Sequence, residues 1–392
     1  TYYGSGNLTT VLNNEGTLTK STGAANSRTT ITATVNNTGA VNVQSGTLDL
    51  SSGGLSTGTF TVAANTTLEL GGGTFAFNSG SQITGAGNIK VSGGATTFSG
   101  NNTGSANIVI SGGTATFSGT TNTTGGGTFS SGTLSGTGSL ILGSPVTLNG
   151  TTLTGAGIIT ASGGANLTGA FSFNGTRTLE LAGNSTWSGG YIYGGGGSIL
   201  SIKPGVTLTN SFDGTINGTY YGSGALTTVV NNQGTFTKSA GTGSTYIDAV
   251  FNHSGSASVQ TGRLALRGGG TTTAAATYSV AAGATLAFDG GTHALASGSS
   301  ITGNGTISLE SGIVSIAAGT ATMAGLTVSG GTLDGAGGTA AISTLNQTGG
   351  SIAVGALTLG ANSTWSGGDW NSAAASTASI ANGTTLALSG RY

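Results

Sequence analysis

If any side chains in this chain are placed to do chemistry, they are two carboxylates. Asp49 lies between Leu48 and Leu50, and Glu69 lies between Leu68 and Leu70. Strand-like alternation puts both acids on the face opposite the leucines. Their 20-residue spacing makes them neighbours if the chain winds in coils of that length. Adjacent strands run about 5 Å apart, the separation a retaining glycosidase needs between its two carboxyl groups. A competing reading adds Lys90, between Ile89 and Val91 one coil further on, and gives an exposed Asp-Glu-Lys ladder that needs no function.

An internal duplication tests the pair. The positions matching Asp49, Glu69 and Lys90 in the second copy are Ala265, Ala287 and Ser308, while Glu15 becomes Gln233 and Glu180 becomes Thr358. Conversely, Asp289 matches Gly71 and Glu310 matches Ser92; Lys20 and Lys238 are the one charged match found. The charges therefore read as decoration on a tolerant surface. No catalytic residue is assigned, and a polysaccharide-cleaving enzyme is the least favoured function.

The remaining candidates are weaker. His253 and His293, the chain's two histidines, have no carboxylate paired with them. The Gly-Gly-x-Gly-x-Asp calcium repeat is absent. Gly194-Gly195-Gly196-Gly197 carries no lysine and follows no βαβ pattern, so it is no phosphate loop. No metal or cofactor is expected. Aromatic rings cluster at Trp187, Tyr191 and Tyr193 and again at Trp365 and Trp370, with further corners at Tyr2-Tyr3 and Tyr220-Tyr221. Exposed, Trp187, Tyr191, Tyr193, Trp365 and Trp370 would stack on sugars and make a glycan-binding adhesin. Buried, they would fill wide corners of the fold, which is the preferred reading because the corners recur. An ice-binding threonine ladder is a further alternative. It is disfavoured because the outward positions Asp49, Glu69, Lys90 and Val109 are not uniform.

Composition bounds the class. Of 392 residues 78 are Gly and only 2 are Pro, without the strict Gly period of collagen. Hydrophobic residues make up 35% and charged residues 5%, which excludes charge-driven disorder. Nine basic and ten acidic residues, singly scattered to a net charge of −1, exclude a nucleic-acid footprint. No apolar run is long enough to cross a membrane. Cys is absent, so there is no disulfide framework. The Thr, Ser, Asn and Gly richness suggests a secreted protein.

The organising unit is a coil. Ile89-Lys90-Val91-Ser92-Gly93-Gly94-Ala95-Thr96-Thr97-Phe98 returns, 19 residues on, as Ile108-Val109-Ile110-Ser111-Gly112-Gly113-Thr114-Ala115-Thr116-Phe117. Each copy reads as two short alternating strands joined at a glycine corner. Strand-turn units repeated at about 20 residues mark a solenoid. A longer repeat overlies it. Thr1-Tyr2-Tyr3-Gly4-Ser5-Gly6 returns as Thr219-Tyr220-Tyr221-Gly222-Ser223-Gly224, offset by 218, and Asn184-Ser185-Thr186-Trp187 returns as Asn362-Ser363-Thr364-Trp365, offset by 178. Two long repeats follow, 1–218 and 219–392, the second about two coils shorter. The expectation is an all-β, right-handed parallel β-helix (β-solenoid) of about 20 rungs of 19–20 residues, elongated as a rod on the order of 90–100 Å long.

The strings 231–238 (Asn-Asn-Gln-Gly-Thr-Phe-Thr-Lys), 301–307 and 362–368 resemble the arrays of large bacterial β-strand-repeat surface proteins, in the style of autotransporter passengers and filamentous-haemagglutinin-like adhesins. The resemblance covers essentially the whole chain. It implies secretion, a right-handed β-helix and an extended shape, and it transfers no catalytic residue. The expected function is structural or adhesive, at the cell surface or in an extracellular fibre. The expected partner is the protein itself, end to end or laterally, or a surface glycan. Neither end reads as a cap, so the chain is expected to be part of a longer array or a stacked protomer.

Overall fold

The computed structural model describes residues 10–100, 102–220, 227–371 and 376–389. Every described strand pairing is parallel, no described residue is helical, and the strands stack as a β-solenoid of about 18 turns. Two compact units make up the chain, Thr1–Ser185 and Thr186–Tyr392.

Within the first unit the coil has three strands. Val11–Asn14, Thr17–Lys20 and Arg28–Ile31 are followed on the next coil by Thr34–Asn37, Ala40–Val43 and Thr47–Leu50, each paired with its counterpart. The 19-residue repeat is seated as its sequence requires. Ile89 pairs with Ile108, Val91 with Ile110, Thr96 with Ala115 and Phe98 with Phe117. Inward residues alternate along each strand and stack on like residues, which removes apolar area from water without a globular core. Phe77, Phe98 and Phe117 form the densest column, with ring centroids 5.1 and 4.7 Å apart and planes within 6° and 9° of parallel. At the Ser-Gly-Gly corner, Gly94 has φ 59°, and a Cβ there would sit 2.0 Å from the Gly73 carbonyl oxygen. Only glycine meets both demands.

The coil is less uniform than the sequence repeats suggest. Steps between paired residues run from 17 (Ala340 to Leu357) through 19 (Ile89 to Ile108) and 23 (Val11 to Thr34) to 30 and 31 (Ile199 to Val229, Ile216 to Ile247). Longer coils reduce the count from the expected 20 or so to about 18. The 30-residue coil contains Thr219 and Tyr220, where the second long repeat starts. Residues 199–216, which end the first long repeat, lie in the second unit, and the first coil of the second repeat pairs directly with them. The boundary between long repeats is thus not a boundary of the fold.

Candidate functional site

In the first unit, the third strand of each coil carries Asp49 and Glu69 as in-register partners, with Lys90 next along. The acids do lie opposite the inward leucines, but they are not exposed. Asp49 is 3% and Glu69 4% accessible, because Arg28 reaches across them. Its Nη2 donates to Asp49 Oδ2 at 2.9 Å and its Nη1 to Glu69 Oε2 at 2.8 Å. Lys90 Nζ lies 3.2 Å from Glu69 Oε1, which also accepts the Ser92 hydroxyl. The expected exposed ladder is instead a four-member ion-pair network with its carboxylates covered.

That network does not have the properties of a glycosidase pair. The guanidinium occupies the gap where a sugar would sit between the carboxyl groups. A general acid needs a raised pKa. Burial does push the Glu69 carboxyl upward, but hydrogen bonds from Ser92 and Lys90 and the Lys90 charge outweigh it and leave the pKa lowered.

The second unit holds a counterpart network that residue-by-residue matching misses. Ala265 and Ala287 fill the positions of Asp49 and Glu69. Arg263 Nη2 reaches Glu310 Oε2 at 2.7 Å and Asp289 Oδ2 at 3.4 Å. Arg267 reaches Asp248 at 3.2 Å and Asp289 at 3.6 Å, and its guanidinium lies 4.9 Å from the Tyr246 ring centroid. Asp289 and Glu310 match Gly71 and Ser92. In the first unit these are the residues against the carboxylates: a Cβ on Gly71 would lie 2.4 Å from Asp49 Oδ1, and Ser92 bonds Glu69. The acids now stand two residues beyond the positions of Glu69 and Lys90, at a register break in the strand, and keep the same neighbourhood. The charges are therefore compensated sets, not decoration.

Two cations, Lys238 among them, are buried and not surface decoration. Lys238, wholly inaccessible, donates to Asp213 Oδ1 at 2.6 Å and to the Ala240 carbonyl at 3.2 Å. The Lys238 contact and a backbone N–H from Gly243 hold the Asp213 pKa down against the opposing effect of its desolvation. Arg177, also inaccessible, donates to the Thr154 and Gly136 carbonyls at 2.7 Å each, and burial lowers its pKa to about 10. The signal lay in the alternation: Lys238 is in phase with the inward Phe236, and Arg177 with the inward Leu179 and Leu181.

The histidines sit in the core. His253 Nδ1 accepts from the Asn232 amide and Nε2 donates to the Thr277 carbonyl, each at 3.0 Å, with the ring 4.4 Å from that of Tyr278. His293 Nε2 donates to the Gly290 carbonyl at 2.9 Å. Burial lowers both pKa values and keeps the rings neutral. Among the described residues no group of three or more His, Cys, Asp or Glu is placed to hold a metal ion.

The aromatic corners divide. Trp187 is fully buried and its indole N–H closes a turn onto the Gly190 carbonyl at 2.9 Å, so it cannot stack on a sugar. Trp365 repeats the device onto Gly368 at 3.2 Å, and its half-buried ring stacks on Trp370 at 4.7 Å with planes 3° apart. The Trp370 N–H is taken by Gln347. Both Trp-Ser-Gly-Gly strings are turn closures. The exposed rings are tyrosines: Tyr191 at 44% and Tyr220 at 59% flank half-buried Tyr193, with centroid distances of 6.2 Å (Tyr191 to Tyr193) and 4.5 Å (Tyr193 to Tyr220). Two corners that are distant in sequence thus form one patch. Tyr2, Tyr3 and Tyr221 lie outside the described residues.

A cleft of about 620 Å³ in the second unit runs along Ile301, Met323, Ile342 and Leu359, and no titratable side chain lines it. No described helix is long and apolar enough to cross a membrane. No family model matches the chain, and neither curated proteins nor solved structures supply a similar one.

Proposed function

We propose that this chain is a structural or adhesive protein of an extracellular surface or fibre. One observation carries the reading: among the described residues, the charged side chains around Arg28 and Arg263 tie one coil to the next. Arg28 spans residues 41 apart in sequence and Arg263 spans 47, each lying across successive coils. Parallel backbone hydrogen bonds run in the same direction, so the coils resist separation cooperatively. The resemblance to bacterial surface repeats supports the same reading. Immunogold labelling of the native cells tests it. Label on the surface or on shed material is expected, and protein confined to the cell interior overturns the reading.

A second reading rests on the tyrosine patch. Tyr191, Tyr193 and Tyr220 offer sugar-stacking rings beside one another, which favours weak glycan contact at this corner. A glycan array with wild-type chain and a Tyr191→Ala/Tyr220→Ala double variant tests it. Binding retained by the variant excludes this patch as the site.

A further inference from the structure

The second unit carries a face of hydroxyls that no fixed sequence spacing marks. Thr207–Asn210, Thr235–Lys238, Ser256–Val259, Thr277–Val280 and Ser300–Thr302 follow one another in parallel and unbroken register. The steps between them run from 21 (Thr235 to Ser256) to 28 (Thr207 to Thr235). Leu208, Phe236, Ala257, Tyr278 and Ile301 point inward and are buried. The residues on either side of each point outward, and every one is hydroxylated. Thr207 and Thr209 are followed by Thr235 and Thr237, then by Ser256 and Ser258. Thr277 and Ser279 come next, and Ser300 and Thr302 complete the run.

Strand propensity does not account for this uniformity, because it acts on every face alike. On the neighbouring face of the same unit, Ile199–Ile202, Val229–Asn232 and Val250–His253 are stacked in the same way. Their outward positions are Ile199 and Ser201, Val229 and Asn231, and Val250 and Asn252. On the third face, Ser244 and Tyr246 are outward, with Arg263 beside Ser244. Hydroxyls fill one face of three.

Most of these hydroxyls have no task inside the protein. Ser256 and Thr277 share one hydrogen bond at 3.2 Å, and Thr302 donates to the Tyr278 carbonyl at 3.2 Å. Thr209, Thr235, Thr237, Ser258, Ser279 and Ser300 have no side-chain partner among the described residues. In-register neighbours stand about 4.8 Å apart along the stack, and residues two apart on a strand about 6.6 Å apart. Two ranks on five strands therefore form a rectangular net, fixed by the backbone ladder whatever the length of each coil. Its two spacings lie close to the oxygen repeats on a prism face of hexagonal ice.

We propose that this face binds ice. The hydroxyls take the places of lattice water oxygens, and the threonine methyl groups sit in the spaces between them. No charged side chain stands in the net, so no tightly held hydration shell has to be stripped from it. Each contact is weak, but the net is already ordered, so the contacts form together without a further ordering cost. The mixed outward positions Asp49, Glu69, Lys90 and Val109 lie in the first unit and are no part of it. The inference goes beyond the structural reading above and does not depend on it.

Partition of the 392-residue chain into slowly grown ice, together with its thermal hysteresis, tests the proposal. Enrichment in the ice and a measurable hysteresis are expected. Ser258→Tyr and Ser279→Lys, separate outward substitutions within the net, are each expected to keep the thermal transition and lose both signals. Val250→Tyr, on the neighbouring face, is expected to retain both. Exclusion of the wild-type chain from ice would overturn the proposal. So would ice binding that survives both net substitutions, which would place the contact on another face. Retention on crystalline cellulose or chitin without binding to ice would also overturn it and assign the net to a polysaccharide lattice.

Discussion

The two ion-pair networks occupy equivalent coils and solve one problem in opposite ways. In the first unit the acids are covered, their side chains 4% and 5% accessible, and the Arg28 side chain is 47% accessible. In the second, Arg263 is the more enclosed at 22%, and its partners Asp289 and Glu310 are 26% and 34% accessible. Alanine fills the mid-strand positions there. A pair is costly to break in proportion to the charge left without water, so the networks should differ sharply in what they contribute.

Arg28→Ala is expected to have the largest effect. It strands Asp49, whose Oδ1 already lacks a hydrogen-bond partner, and leaves Glu69 to Lys90 and Ser92. A loss of about 2 kcal/mol is expected, less than for a fully buried pair because water reaches the guanidinium. Hydrogen exchange across residues 40–98 measures it. A change below that of Arg263→Ala would reverse the comparison.

Acid should separate the units next. Glu69 has a lowered folded-state pKa, so its contribution is complete above the ordinary Glu value of about 4.3 and fades as pH falls through the folded value. His253 and His293, both in the second unit, are held neutral with lowered pKa values. The unfolded chain takes up their protons first, so the second unit starts to lose stability as pH drops below about 6.5, at up to 1.4 kcal/mol per pH unit for each histidine. All three tryptophans, at 187, 365 and 370, lie in that unit, so their fluorescence reports it. A transition insensitive to pH between 7 and 5 in the wild type, or equally sensitive after His253→Gln/His293→Gln, would refute the assignment.

Arg263→Ala should cost about 1 kcal/mol or less, since its partners keep access to water. The smallest effect is expected for Lys90→Ala, because Glu69 keeps its bonds from Arg28 and Ser92 and the Lys90 side chain is 33% accessible. Unfolding free energies from denaturant melts are expected within about 0.5 kcal/mol of wild type. A loss above that of Arg263→Ala would show that Lys90, not Arg28, anchors Glu69.

Much of the fold was legible because a coil repeats its own pattern. Ile89 and Phe98 announce Ile108 and Phe117, and the structure pairs those residues. The networks were not legible, for a geometric reason. Arg28 meets Glu69 across two coils, and coil steps vary from 17 (Ala340 to Leu357) to 31 (Ile216 to Ile247), so spacing alone does not identify a partner. Position-by-position matching between the copies also fails, because Asp289 and Glu310 stand two residues beyond the Glu69 and Lys90 positions, past a register break. Trp187 was legible as a repeated string; that its ring faces the core became clear only with the turn it closes.

The 30-residue coil has a consequence for how such a chain can diversify. Ile199 pairs with Val229 and Val229 with Val250, steps of 30 and 21 residues in unbroken register. The length of a coil is therefore decoupled from the stacking of its strands. Lengthening a loop costs only about 0.6 kcal/mol for each doubling, so an insertion between two paired strands can be absorbed without the coils above or below having to move.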